Sequence, residues 1–263
     1  MLDSHFVPLK TSEAFIIDVH KMREADRLVV LFTEDEGKVR GVAASAARSH
    51  RRFGGRLERL SRVRATWFEK EGRELARLDA CELLDGSFGL YQDLRVAMLL
   101  GYMAEVVDTF AHEREPDPRS FRLLRSMMEA LHAGAEPGAL ARYFEVWTLR
   151  LHGLMPAMDA CSACGLDLSG GAFVDAADIG EVLCLRCRPQ RARAAAGRLS
   201  PEALRALDRF RRLGPLEAAR GGTSAGALAE MEDFAGAVLG DFVGHPFRSS
   251  RFLKETLREV EPT

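Results

Sequence analysis

Two Cys-x-x-Cys pairs, Cys161/Cys164 and Cys184/Cys187, lie in this 263-residue chain with residues 165–183 between them. Each such turn brings two thiolates onto one ion, and two turns complete a tetrahedral shell with Zn–S bonds of about 2.3 Å. Four thiolates leave no open position for a reactive water. We therefore predict one structural Zn²⁺ bound by these four cysteines.

Three alternatives remain open for the same cysteines. They could be reduced structural residues that are near each other by coincidence, one pair could be a redox dithiol, or the four could hold an iron–sulfur cluster. Neither pair clearly follows a strand and opens a helix, as redox pairs do. The fifth cysteine, Cys81, stands alone in an apolar stretch and is predicted to be a small buried side chain.

A second chemical feature is a basic stretch, residues 38–64, in which Glu58 is the single acid. A β-barrel that combines a positive groove with exposed rings is typical of single-stranded nucleic-acid binding, because phosphates meet guanidinium groups and bases stack on the rings. The alternative is a solvated face with scattered salt bridges. We predict nucleic-acid contacts, with the ring as the stacking group, at Lys38, Arg40, Arg48, Arg51, Arg52, Phe53 and Arg56.

Motifs of catalysis are absent from the sequence. There is no Walker A loop, no HExxH, no GxSxG and no GxGxxG after a strand, and the seven histidines have no ligand spacing. Glu34-Asp35-Glu36 falls in a predicted turn, where solvated acids are the ordinary case. We predict a protein that is not an enzyme and has no small-molecule substrate.

Composition indicates a folded, non-membrane protein. The chain is 47% hydrophobic and 29% charged, with a net charge of -2. No run reaches the roughly 18–20 apolar residues of a membrane span, and the first residues lack the order of a secretory signal. We expect a cytoplasmic protein, where reducing conditions favour metal binding by clustered cysteines over disulfides.

The elements that must position these residues follow from periodicity. Short apolar runs separated by turn signals in residues 11–84 predict a small β-barrel. Helical spacing begins near Phe88, and Ser200-Pro201-Glu202 has the residue types of a helix start. We predict an α+β multidomain chain with a β-barrel domain at 1–84, a helical domain at 85–157 and 189–263, and a four-cysteine zinc-knuckle insertion at 158–188.

The order of several segments resembles the RecO family of bacterial DNA repair and recombination mediators. The segments that carry the resemblance are Arg23-Glu24-Ala25-Asp26-Arg27, residues 32–40, residues 52–58, Arg142-Tyr143-Phe144-Glu145 and residues 245–253. Together they span nearly the whole chain. The resemblance implies an N-terminal OB-fold, a helical domain and, in many members, a zinc knuckle.

The resemblance also implies a function and partners. Members bind single- and double-stranded DNA, anneal complementary strands, and with RecR load RecA onto strands coated by single-strand-binding protein. At the place where relatives carry a Lys or Arg before Gly-Ala-Arg, this chain has Ala and Ser, so Arg48 is the residue carried over there. Arg142 matches the position that would contact the acidic tail of single-strand-binding protein, and the alternative is an exposed helix arginine. The competing function is a zinc-stabilised protein–protein adaptor without direct DNA binding.

Overall fold

The computed structural model describes residues 9–53, 57–69, 72–175, 181–188 and 195–259. The chain divides into two compact units, Met1–Arg122 and Leu123–Thr263. The boundary lies inside a helix and not at a Gly- or Pro-rich linker. Each unit is described by itself below.

Unit 1 contains a closed five-stranded barrel. Its strands are β1 (Leu9–Lys21), β2 (Arg27–Thr33), β3 (Gly37–Ala43), β4 (Arg62–Phe68) and β5 (Ala76–Asp85). They follow the order β1-β2-β3-β5-β4 and close through β1 and β4, with β3 and β5 parallel and every other pair antiparallel. This arrangement is the OB-fold barrel that was predicted.

The long strand β1 makes closure possible because its two halves pair with different neighbours. Residues 9–15 pair with β4, and residues 14–21 pair with β2. The register shifts between Ile16 and Asp18, and such a bulge bends a strand and increases its twist. The first residues of β1 precede the range 11–84 in which the sequence predicted strands, since residues 9–13 lack a strong apolar pattern.

The barrel interior is filled by alternate residues of all five strands, among them Ile16, Leu31 and Trp67. A short helical segment, α1 (His50–Phe53), follows β3 and places Phe53 in this same core with 2% exposure. The predicted base-stacking role of Phe53 is therefore wrong, because its ring is buried. Cys81 lies in the core as well, which confirms the prediction of a buried side chain.

Helices follow the barrel in unit 1. A 3₁₀ turn (Phe88–Gln92) leads to α2 (Leu94–Phe110), whose first amides are capped by the Asp93 side chain. The next helix, α3 (Pro118–His132), begins in unit 1. Its Phe121 packs on the outer wall of the barrel against Phe15 and Phe32, with ring centroids 5.1 and 5.8 Å apart.

Unit 2 is built from helices and one small sheet. The helices are α4 (Pro137–Leu151), α5 (Pro201–Arg212), α6 (Pro215–Arg220), α7 (Ala225–Val243) and α8 (Arg248–Glu259). Ser200 caps α5 by accepting from the Ala203 amide, as its position in the sequence predicted. In the part of the chain that is described, no helix is long and apolar enough to cross a membrane.

The sheet carries the cysteine segment. Its strands β6 (Ala172–Asp175), β7 (Val182–Cys184) and β8 (Ala195–Leu199) have the order β7-β6-β8. Strands β6 and β7 pair antiparallel between the two cysteine turns. Strand β8 was not predicted, and it packs closely on α7: a Cβ at Gly197 would lie 3.2 Å from the Phe234 backbone.

Candidate metal centre and nucleic-acid interface

Two tight turns bring the four cysteines together. In the first, Gly165 donates its amide to the Cys161 carbonyl at 2.8 Å, and its φ of +71° is a conformation that glycine adopts readily because it has no Cβ. In the second, the Cys187 amide donates to the Cys184 carbonyl at 3.1 Å, directly after β7. A hydrogen bond of 2.9 Å from the Ser162 amide to the Val182 carbonyl joins the first turn to the strand that carries the second.

The sulfur geometry fits a single tetrahedral ion. All four Sγ atoms lie within 4.8 Å of one another, and Cys164 Sγ is 3.8 Å from Cys184 Sγ. Metal–sulfur bonds of about 2.3 Å in a tetrahedron place the sulfurs about 3.8 Å apart. The donor set is therefore already arranged at a distance that one ion can bridge, and no donor has to be recruited from elsewhere.

Backbone amides prepare this site for a cation. Burial opposes ionisation of Cys161, but backbone amides, with that of Cys184 first, outweigh it and lower the pKa of this thiol to about 6. The Cys187 amide is the main group that lowers the pKa of Cys184. Cys164 holds the proton on Cys187 and raises its pKa to about 12. The Cys161 thiolate is a ligand that suits a soft divalent cation, and a bound cation would favour ionisation of the neighbouring thiols as well.

The predicted nucleic-acid residues occupy unequal environments. Lys38 is largely buried and donates to the Asp108 carbonyl at 2.6 Å and to its Oδ1 at 3.2 Å. Arg40 is paired with Glu113 at 3.1 Å. Both basic groups are thus neutralised by α2 or the residues that follow it.

Arg48 and Arg52 remain more available. Arg48 is 72% exposed and lies 3.7 Å from Glu24, which is also exposed. Arg52 is partly exposed and donates to the Ala44 carbonyl at 2.9 Å and to Ser49 Oγ at 3.2 Å. Arg56 and the side chain of Arg51 lie outside the part of the chain that is described, so both stay predictions.

The rest of the basic stretch lies on the barrel wall and is paired. Arg59 contacts Asp18 at 2.7 Å, Arg62 contacts Glu13 at 2.9 Å, and Arg64 contacts Glu82 at 3.1 Å. Glu13 and Asp18 belong to β1, and Glu82 belongs to β5. Among the described residues of 38–64, most of the positive charge is therefore paired with carboxylates.

Arg142 on α4 is buried, with only 3% of its surface exposed. Its guanidinium contacts Glu145 at 2.7 Å and Glu232 of α7 at 2.8 Å. The alternative of an exposed helix arginine is wrong. A partner's carboxylate could reach this guanidinium only by displacing Glu145 or Glu232. The contact between Arg142 and the tail of single-strand-binding protein therefore stays a prediction, and it requires this displacement.

A groove that the sequence did not indicate lies in unit 2 between the end of α4, the first cysteine turn and α5. Its volume is about 1090 Å³. Its floor is apolar and includes Met155, Leu168 and Leu207, while Arg150 and Arg209 lie on its wall. The lining residues come from three separate segments, each unremarkable alone, so no local pattern could have revealed it.

Comparison with known proteins assigns most of the chain to one family. The family model described as Recombination protein O N terminal matches residues 8–87, and that described as Recombination protein O C terminal matches residues 91–251. A protein of Koribacter versatilis named DNA repair protein RecO is 44% identical over 63% of this chain and 67% of its own length. One of the same name from Anaeromyxobacter sp. strain K is 35% identical over 88% of this chain and 91% of its own length. This chain belongs to the RecO family.

Proposed function

We propose that this protein is a DNA repair and homologous-recombination mediator that binds single- and double-stranded DNA and anneals complementary strands. The observation that carries the proposal is the closed barrel of OB order, with Arg48 exposed and Arg52 partly exposed beside its core. Family membership supports it, since the relatives are named DNA repair proteins. The protein binds and positions DNA and carries out no catalytic turnover.

Annealing follows from electrostatics in this proposal. Two phosphate backbones repel each other, and a basic surface that holds both lowers that repulsion and lets base pairing select the match. Released counterions drive the binding, so the affinity falls steeply as salt increases. A protein–protein adaptor without DNA binding would show no such dependence.

Fluorescence anisotropy with a labelled single-stranded oligonucleotide tests this function directly. We expect micromolar or tighter affinity at about 50 mM salt and a loss of at least about 10-fold at about 200 mM salt. A strand-annealing assay with two complementary oligonucleotides should show acceleration by the protein. No measurable binding at low salt would refute the proposal and favour the adaptor.

For the cysteine centre we propose Zn²⁺ as the metal, held by all four thiolates in a closed structural site. When bound, the ion ties the first turn to the β6–β7 hairpin and supplies stability rather than chemistry. Metal analysis should give about one zinc per chain. The Cys161→Ser/Cys164→Ser variant should lose it, whereas Cys81→Ser, with its thiol in the barrel core, should keep it.

The family resemblance further suggests RecR as a partner, RecA loading as the outcome, and the acidic Phe-ended tail of single-strand-binding protein as a ligand of the helical unit. We propose the unit 2 groove as the place of the tail. Arg150 and Arg209 form no ion pair with a carboxylate of the described residues, and the apolar floor suits a terminal Phe side chain. We propose that the protein acts in the cytoplasm and associates with the nucleoid during repair.

A labelled acidic peptide that ends in Phe tests the groove. Arg211→Gln, at an exposed groove position, should weaken peptide binding several-fold. Arg220→Gln removes the same charge from an exposed position on α6 outside the groove, and should leave binding unchanged. Equal effects of both variants would mean that peptide binding depends on the overall positive charge of the protein and not on the groove.

A further inference from the structure

We propose that the metal completes the unit 2 groove, so that binding of zinc by the four cysteines and binding of a Phe-ended ligand in the groove strengthen each other. This inference rests on the proposed tail site and adds what controls its affinity and selectivity. The groove residues on either side of the first cysteine turn are called the cysteine wall: Met158, Asp159, Asp167, Leu168 and Ser169.

The α5 side of the groove is held in place without the cysteines. Helix α5 packs on α4 through the rings of Tyr143 and Phe210, whose centroids are 5.7 Å apart. The Trp147 indole donates to the Phe210 carbonyl at 2.9 Å, and the Tyr143 hydroxyl donates to the Leu213 carbonyl at 3.1 Å. None of these contacts involves residues 155–188, so the α5 side keeps its position when the cysteines hold no metal.

The cysteine wall is formed by irregular chain. Residues 152–171 contain no helix and no strand, and an isolated bridge joins Ala160 to Asp167. Just inside this bridge, the Cys161 amide donates to the Leu166 carbonyl at 2.7 Å. The two strips of the wall are therefore the two stems of the loop that carries the first cysteine pair.

Hydrogen bonds tie this loop to the strand that leads to the second pair. The Ser162 amide donates to the Val182 carbonyl at 2.9 Å, and the Val182 amide donates to Ser162 Oγ at 3.0 Å. In the wall itself Leu168 is buried, while the other four residues are partly or fully exposed. A segment with so few buried apolar contacts opens at little cost. Zinc held by both cysteine pairs links the loop to the end of β7, and its binding energy orders the wall.

The charges of the groove divide between its two sides. Helix α5 supplies Arg205, Arg209 and Arg211, whereas the cysteine wall supplies the carboxylates of Asp159 and Asp167. The carboxylates of an acidic ligand are therefore attracted to α5 and repelled by the wall. Charge attraction alone does not need the wall, and it persists when the metal is lost.

The apolar part of the ligand depends on the wall. Met158 and Leu168 line the groove together with Leu204 and Leu207 of α5. A Phe side chain gains affinity in proportion to the apolar surface that it buries, so a disordered wall removes much of this gain. Because zinc and the Phe side chain both require the ordered wall, each raises the affinity for the other by the same factor.

The first test measures selectivity for the terminal side chain. Two labelled acidic peptides, identical except that one ends in Phe and the other in Ala, are titrated into zinc-loaded protein and into protein treated with a chelator and a reductant. With zinc we expect the Phe-ended peptide to bind at least about 10-fold more tightly than the Ala-ended one. Without zinc we expect a difference of less than about 3-fold. Far-UV circular dichroism checks that the helices remain.

The second test measures the reciprocal effect on the metal. Competition with a chelator of known zinc affinity gives the affinity of the protein for zinc with and without saturating peptide. The Phe-ended peptide should raise the zinc affinity by the factor by which zinc raises the affinity for that peptide, about 10-fold. The Ala-ended peptide should raise it by less than about 3-fold.

A pair of variants tests the wall without removing the metal. Met158→Ala removes an apolar side chain that lines the groove, whereas Leu166→Ala removes one that is 44% exposed in the first cysteine turn and outside the groove. Both variants keep the four cysteines and should bind about one zinc per chain. We expect Met158→Ala to lower the preference for the Phe-ended peptide at least about 3-fold and Leu166→Ala to leave it unchanged.

Separate outcomes refute this inference and the proposed tail site. If zinc-loaded protein binds the Phe-ended peptide and zinc-free protein with intact helices keeps the same preference, or if Met158→Ala and Leu166→Ala behave alike, the inference is wrong and the tail site stands. If zinc-loaded protein binds neither peptide, the tail site is wrong. Hydrogen exchange of residues 154–171 then decides about the wall: protection that survives zinc removal overturns the inference, and protection lost there but kept in α4 and α5 supports it.

Discussion

Replacing the buried Arg142 tests whether this residue stabilises unit 2 or serves to bind a partner, because the two roles predict different changes in the free energy of unfolding. Both Arg142 and Glu145 side chains are only 4% exposed, and Glu232 is 17% exposed. Replacing Arg142 with Met removes the cation and leaves the Glu145 carboxylate in a buried position. Breaking a buried pair in this way costs about 3–5 kcal/mol. We therefore expect Arg142→Met to lower the free energy of unfolding of unit 2 by that amount.

Two further variants sharpen this prediction. Arg142→Met/Glu145→Leu replaces both charges by apolar groups and should recover most of the loss, because a buried pair gains little over well-packed apolar side chains. Arg212→Met, which removes an exposed helix pair with Asp208, should cost no more than about 0.5 kcal/mol. The three results together separate a buried charge network from an ordinary surface arginine.

Urea unfolding followed by tryptophan fluorescence measures these differences. The chain has two tryptophans, Trp67 in the barrel core and Trp147 on α4. In a Trp67→Phe background the signal comes from Trp147, whose indole donates to the Phe210 carbonyl inside unit 2. If Arg142→Met unfolds with the same free energy as Arg212→Met, the ion pairs of Arg142 with Glu145 and Glu232 do not stabilise unit 2. That result would favour a partner-binding role for Arg142.

Three other substitutions test the barrel, each measured by urea unfolding. Phe53→Ala should cost about 3–5 kcal/mol and leave the salt slope of DNA binding unchanged, because the ring fills the core and does not stack on bases. Gly37→Ala should cost more than about 1 kcal/mol, since φ is +66° and the new Cβ would lie 2.0 Å from the Glu115 carbonyl oxygen. Burial opposes ionisation of Asp18, but the hydrogen bonds from Arg59 and the Val19 amide, together with the charge of Arg59, outweigh it and lower the pKa of Asp18. Asp18→Asn should therefore destabilise the protein at pH 7, and its deficit should shrink as pH falls below the ordinary aspartate pKa of about 3.9; a deficit that is constant from pH 7 to pH 3 would contradict this.

The elements with strong local signals could be predicted from sequence. Ser200 and Pro201 begin α5 because a capping hydroxyl and a fixed proline φ act within one helical turn. The cysteine pairs converge because each Cys-x-x-Cys turn is a local structure and the β6–β7 hairpin connects them. In both cases the determining interactions span few residues.

Elements that depend on distant partners could not be predicted. Strand β8 begins in the Ala- and Arg-rich segment 190–197, and it is a strand because β6 pairs with it and α7 covers its Gly197. Phe53 lies in an Arg-rich sequence that looks solvated, and it is buried because α1 follows β3 onto the barrel core. Neither contact leaves a periodic pattern in the residues concerned.

The surface charge of the barrel also could not be predicted from the sequence alone. Arg64 lies in the most basic part of the sequence, yet register sets it between Glu13 of β1 and Glu82 of β5, so its charge is balanced on the wall. Lys21 and Arg27 lie outside that basic stretch, yet β1–β2 pairing sets them side by side at one end of the barrel. Because strand pairing decides which charges meet, a count of arginines along the chain measures neither the position nor the strength of the field that a phosphate backbone meets.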